Sequence, residues 1–151
     1  MRGSKVKVEG LRELEKALRD LGKVTARNVG RRVLTKAAEP IADAGRANAP
    51  LGPTGNLKDS YGVGTKLTRR QSKLNRKQSP VEVYAGPNDP AAVQTEFGNE
   101  HQAAEPHLRP AWDANKDRSL GIIKTELVTE IEKATARAQR KAEREARKLG
   151  G

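Results

Sequence analysis

The chain has 151 residues, no cysteine, 34% hydrophobic residues and a formal net charge of +11. That length fits one domain able to bury roughly 70% of its unfolded surface, and the missing cysteine excludes disulfides, thiolate metal sites and cysteine nucleophiles. No apolar run approaches the roughly 18 residues of a membrane span and the amino terminus lacks a signal peptide's apolar stretch, so the expectation is a soluble protein made inside a cell or carried in a particle built there, with no membrane partner.

Val6 and Val8 alternate with Lys5, Lys7 and Glu9, which predicts a short strand ended by Gly10. Leu11, Leu14, Leu18 and Leu21 then form one stripe of an amphipathic helix, with Gly22 suited to its C-terminal cap. A second helix is expected from about Thr25, as N-cap, to about Asn48, with Val29, Val33, Ala37, Ile41 and Ala44 on one face. Pro40 predicts a kink or a break in it. The small residues Ala37, Ala38, Ala42, Ala44 and Ala47 would let another backbone approach closely, from this chain or from a neighbouring subunit.

The segment from Ala49 to Leu57 concentrates proline and glycine and reads as a turn. Leu57, Tyr61, Val63 and Leu67 fit a half-exposed strand, and Val81 to Gly86 a cleaner one, paired antiparallel through a long, mobile hairpin connection. After a turn at Pro87 to Pro90, residues 91–97 predict a short helix ended by Gly98. Pro110 suits the first turn of a last helix whose apolar stripe is Leu120, Ile123, Leu127, Ile131 and Ala134. The expected fold class is α+β: a small antiparallel sheet of three to four strands packed with two or three helices, the C-terminal one long. Residues 1–134 form the expected domain, and 135–151 a charged extension that is helical by propensity, has little to bury, frays alone and orders against a partner.

The positive charge is local. Residues 66–77 hold six bases (Lys66, Arg69, Arg70, Lys73, Arg76 and Lys77) and no acid, while residues 133–148 hold seven bases and two acids. The remainder balances, so the body is expected to be nearly neutral. The basic loop can contact DNA phosphates or an acidic protein surface, or simply stay solvated, and it carries no aromatic on which bases could stack.

Enzymatic chemistry is poorly represented. His101 and His107, beside Glu100 and Glu105, are six apart with Pro106 between them, which fits no helical ligand pair and reads as exposed or locally bonded loop histidines. Phosphate-cradling, dinucleotide, nucleophile-elbow and HExxH motifs are all missing, so no catalytic residue, metal or cofactor is expected.

Four motifs in order carry a resemblance: GLRELEKALRDL (Gly10 to Leu21), Ala49–Pro50 with TGNLKDS (Thr54 to Ser60), EFGN (Glu96 to Asn99) and PHLRPAW (Pro106 to Trp112). Over about residues 6–134 the chain resembles the tail-completion, or neck, family of long-tailed bacteriophages and prophages. Asn99 stands where that family usually has threonine, and His107 where it has phenylalanine. The resemblance implies a non-enzymatic virion protein of the head-tail junction, assembled in the bacterial host cytoplasm. Its implied form is a hexameric ring around the DNA path, contacting a tail terminator or tail tube protein on one side and head connector proteins, adaptor or stopper, on the other. The implied assembly residues are Pro50, Thr54, Gly55, Leu57, Glu96, Phe97, Gly98, Pro106, Leu108, Arg109 and Pro110, with Pro50, Thr54 and Gly55 setting a turn, Phe97 anchoring the short helix and the two prolines aiming Leu108 into the core. The alternative reading is a small basic nucleic-acid-binding accessory protein.

Overall fold

A computed structural model describes residues 11–151; the strand expected around Val6 and Val8 lies outside them. In chain order the described elements are helices α1 (Leu11–Asp20), α2 (Lys23–Asn48) and α3 (Asn56–Asp59), strand β1 (Tyr61–Gly64), helix α4 (Arg69–Leu74), strand β2 (Tyr84–Pro87), and helices α5 (Ala91–Phe97) and α6 (Leu108–Leu149). The fold is α+β and mostly helical.

The architecture is built on α2 and α6, packed side by side and antiparallel. Their direction follows from three contacts: Arg32 with Glu130, Lys36 with Glu126, and Asn48 with the carbonyl of His107. Val29 and Val33 of α2 meet Ile131 and Ala134 of α6, and Leu14, Ala17, Leu18 and Leu21 close over this cluster. Leu14, Leu18 and Leu21 of the stripe read from the sequence therefore face the core. A second apolar cluster, Ala49, Leu57, Tyr61 and Ala92 with Leu108 against it, sits at the opposite end of the α2–α6 pair.

Three expectations need correction. α2 is a single helix capped by Gly22 rather than Thr25, and it runs unbroken through Pro40. Proline removes a backbone donor, but Ile41, Ala42 and Gly45 beyond it are buried, so tertiary packing holds the helix together. The sheet has two strands among the described residues, paired antiparallel from Tyr61 opposite Pro87 to Gly64 opposite Tyr84, rather than three to four. Leu57 belongs to the single turn α3, and Val81 lies against Gly30 of α2 ahead of β2, so side-chain burial there replaces strand pairing. The basic connection is also partly helical. Thr68 and Gln71 form a reciprocal capping box, each side chain bonding the other's backbone N–H, and this starts α4.

Beyond Ala134, α6 continues as a single exposed helix to Leu149, consistent with its alanine, arginine, lysine and glutamate content. At 42 residues it is about 63 Å long.

Candidate functional site

The start of α6 is fixed by one carboxylate. Asp89 accepts from the N–H of Ala91 at 2.8 Å and opens α5, whose last turn places Glu96 5% exposed. Gly98 then reverses the chain at φ +74°. A Cβ there would stand 2.8 Å from the Ala104 nitrogen, so only glycine fits the return. The turn is held by Asn99 pairing with Gln102 and by the Glu105 N–H donating to the Thr95 carbonyl at 2.7 Å.

The returning backbone presents the N–H groups of His107, Leu108 and Arg109 to Glu96 at 2.8, 2.9 and 3.0 Å. A helix begins with four N–H groups that lack an internal partner. Here three donate to one carboxylate, and the fourth position is Pro110, which has none. The Arg109 guanidinium closes the site, donating to the Glu96 carboxylate at 3.0 Å and to its carbonyl at 2.8 Å. Burial pushes the Glu96 carboxyl up, but the three N–H groups and Arg109 outweigh it and hold it at about 2.

His107 is 1% exposed and is a buried anchor, contrary to the loop reading. It shares a hydrogen bond with the Tyr61 hydroxyl through Nδ1, and the two rings meet edge to face at 5.6 Å. It thus fills the aromatic place that the resemblance gives to phenylalanine. Burial, and then the Glu96 charge, pushes the Tyr61 hydroxyl up to about 12, so it stays protonated at neutral pH. Arg46 donates to the Tyr61 carbonyl at 2.8 Å, and Gly45 leaves the room that the Tyr61 ring occupies.

The structure brings Glu96, Gly98, Leu108, Arg109 and Pro110 together at this junction, with Leu57 in the adjoining apolar cluster. Phe97 is not an anchor: it is 63% exposed, with the Arg109 guanidinium 4.6 Å above its ring. Pro106 is exposed and Leu108 only half-buried; the fully buried residue of the segment is His107. Pro50, Thr54 and Gly55 stand apart at the turn into α3, where Thr54 accepts from the Asn56 N–H at 3.3 Å. Tyr61, Gly45 and His107 were missed as partners because their contacts join residues as much as 46 apart.

Beside this junction an apolar groove runs between α2, α6 and the approach to β2. Leu34, Ala38, Ile41, Val83, Trp112, Leu120 and Ile123 line most of a cavity of about 690 Å³, which Lys116, Asp117 and Ser119 of α6 also border. It continues past Ala85 and Leu108 into a second of about 530 Å³. Trp112, the only tryptophan, is 53% exposed on its rim.

The basic loop is anchored at its base and open elsewhere. Gln71 donates to the Pro87 carbonyl at 3.3 Å, and Glu82 gathers the N–H groups of Gln78 and Ser79 and the Tyr84 hydroxyl. Those bonds, the Tyr84 hydroxyl first, hold the Glu82 carboxyl below its ordinary range. Lys66, Arg69, Arg70, Lys73, Arg76 and Lys77 are all exposed, and none pairs with an acid among the described residues.

A family model described as "Bacteriophage HK97-gp10, putative tail-component" matches residues 12–98, more than half of the chain. The chain belongs to the HK97-gp10-like family. The match runs from α1 through α5 and ends on Gly98, so it takes in TGNLKDS and Glu96 while α6 lies beyond it. No curated protein and no solved structure matches the chain. Membership of the HK97-gp10-like family makes it a bacteriophage tail-related structural protein.

Proposed function

We propose that this member of the HK97-gp10-like family is a virion protein of the phage neck, completing the tail and joining it to the head as one subunit of a closed, hexameric ring around the DNA path. The observation that carries the reading is the open groove rimmed by half-exposed Trp112. An apolar channel of this kind on an otherwise charge-rich chain is a surface for a partner, and contacts between unlike faces of identical subunits form rings when the rotation closes. The second copy covers the groove. Its neighbours along the particle axis are a tail terminator or tail tube protein and the head adaptor or stopper, and the cations of residues 66–77 meet acidic surface on one of them. Residues 1–134 act as the assembling domain and 135–151 as its extension. The work is assembly rather than catalysis, and it takes place in the bacterial host cytoplasm.

Trp112→Asp tests this, because the side chain is at the rim and its loss leaves both core clusters intact. The wild-type chain is expected at the mass of a ring by native mass spectrometry, and to restore joined particles when added to heads and tails made without it. The variant is expected to stay monomeric with an unchanged circular dichroism spectrum and to restore at least about tenfold fewer particles, the size of effect a buried aromatic anchor has. A variant that joins particles as well as the wild type would overturn the reading.

A further inference from the structure

The far end of α6 carries a site of its own. Residues 135–149 extend past the last core contact at Ala134 as an exposed helix that packs into neither core cluster among the described residues. On a helix of 3.6 residues per turn, Arg137, Arg140, Arg144, Arg147 and Lys148 fall within about 100° of arc, along about 17 Å of axis. None of the five pairs with an acid among the described residues. Lys133 and Lys141 lie on the same side but stand 3.7 and 4.0 Å from Glu130 and Glu145. The opposite side holds Ala138, Ala142, Ala146 and Leu149.

The geometry points to this stripe as a sequence-independent binding site for duplex DNA, held by its phosphates. Protein interfaces place aromatic or large apolar anchors at a dry centre depleted of charge, and the stripe has neither anchor nor concavity. A phosphate backbone asks only for cations at suitable spacing. Counting both strands, a duplex carries one phosphate per roughly 1.7 Å of axis, so about 17 Å of it holds about ten, and the side facing a straight stripe offers enough of them for the five cations. The stripe holds no asparagine or glutamine to read base edges, so binding is expected to be blind to sequence. The basic loop lines a pocket with Leu108, at the other end of the packed part of α6, about 40 Å away. The two cationic surfaces are therefore separable by mutation. The inference does not rest on the neck reading, since a tail component placed elsewhere could bind DNA and a neck protein could fail to.

The test uses the full chain and a labelled duplex of about 30 base pairs of arbitrary sequence, followed by fluorescence anisotropy between about 50 and 200 mM salt. The combined variant Arg137→Gln, Arg140→Gln, Arg144→Gln, Arg147→Gln and Lys148→Gln keeps helix propensity and should unfold at the wild-type temperature. It is expected to bind at least about tenfold more weakly, with a slope of log affinity against log salt flatter by about 4. Replacing the four arginines by lysine should retain binding within about threefold, because a phosphate contact needs the charge and no fork geometry. Arg69→Gln, Arg70→Gln, Arg76→Gln and Lys77→Gln together should also retain it. Three results would overturn the assignment: no duplex binding by the wild type at the lowest salt, undiminished binding by the glutamine variant, or polyglutamate bound as tightly as the duplex through the same five residues.

Discussion

Glu96→Ala is expected to lower the unfolding free energy by about 3 to 5 kcal/mol, the usual cost of removing one partner from a buried charged network. The carboxylate satisfies every backbone donor that the start of α6 leaves open, so its loss strands three N–H groups at once and leaves the half-exposed Arg109 guanidinium with only its bond to the residue-96 carbonyl. Urea denaturation at pH 7 reads the effect, as a lower midpoint at unchanged slope. Acid supplies an independent check. The carboxyl lies at about 2 in the folded chain against an ordinary 4.5, so it contributes stability above pH 4.5 that is lost as the pH falls towards 2. The shift corresponds to about 3 kcal/mol. Glu96→Gln keeps the shape but cannot be protonated. It should cost about 2 kcal/mol at pH 7 and show a shallower loss of stability than the wild type between pH 4.5 and 2. An acid profile identical to that of the wild type would show that Glu96 does not carry the linkage.

The second large effect is expected at Gly45. A side chain there would start 2.8 Å from Tyr61 Cζ and closer still to Cε1, and the ring cannot retreat while Arg46 holds its carbonyl and His107 its hydroxyl. Gly45→Val should therefore destabilise by about 3 kcal/mol through overpacking. Gly121 on α6 is the control, since nothing lies within 4 Å of a Cβ built there. Gly121→Ala should stabilise by up to about 1 kcal/mol, the helix-propensity gain alone. Thermal unfolding of both variants separates steric cost from propensity; a stable Gly45→Val chain would mean that Tyr61 is not locked.

Local pattern made the helices readable. The leucine spacing of α1, the turn chemistry around α5 and the stripe from Leu120 to Ala134 each encode a face, and each face is where the periodicity puts it. Patterns that depend on a distant partner were harder to read. Pro40 argues for a break by its own chemistry, and only the burial of Ile41, Ala42 and Gly45 explains why α2 continues. Val81 and Val83 carry strand propensity, yet Val81 packs on Gly30 and Val83 lines the groove instead of pairing. The Thr68–Gln71 capping box is a local signal that was present but hidden in a run of charge.

Within the candidate site, the EFG and PHLRPAW motifs fall on the two segments that meet at the junction of α5 and α6, but the division of labour inside them differs from the one read from sequence. Composition makes Phe97 the obvious anchor and His107 an ordinary polar residue. Their roles are reversed because the chain reversal at Gly98 brings the start of α6 onto Glu96 and Tyr61, leaving Phe97 outside under Arg109. The groove is a product of tertiary packing between α2 and α6, so only the small residues of α2 hinted at it.

A reconstruction of the head-tail junction, at a resolution that shows side chains and in particles that contain this chain, bears most directly on its role. The expected density is a closed ring of copies encircling the DNA path, with Trp112 and the α2–α6 groove of each copy covered by the next. Copies located only elsewhere in the tail, or present at the junction with the groove open to solvent, would contradict it.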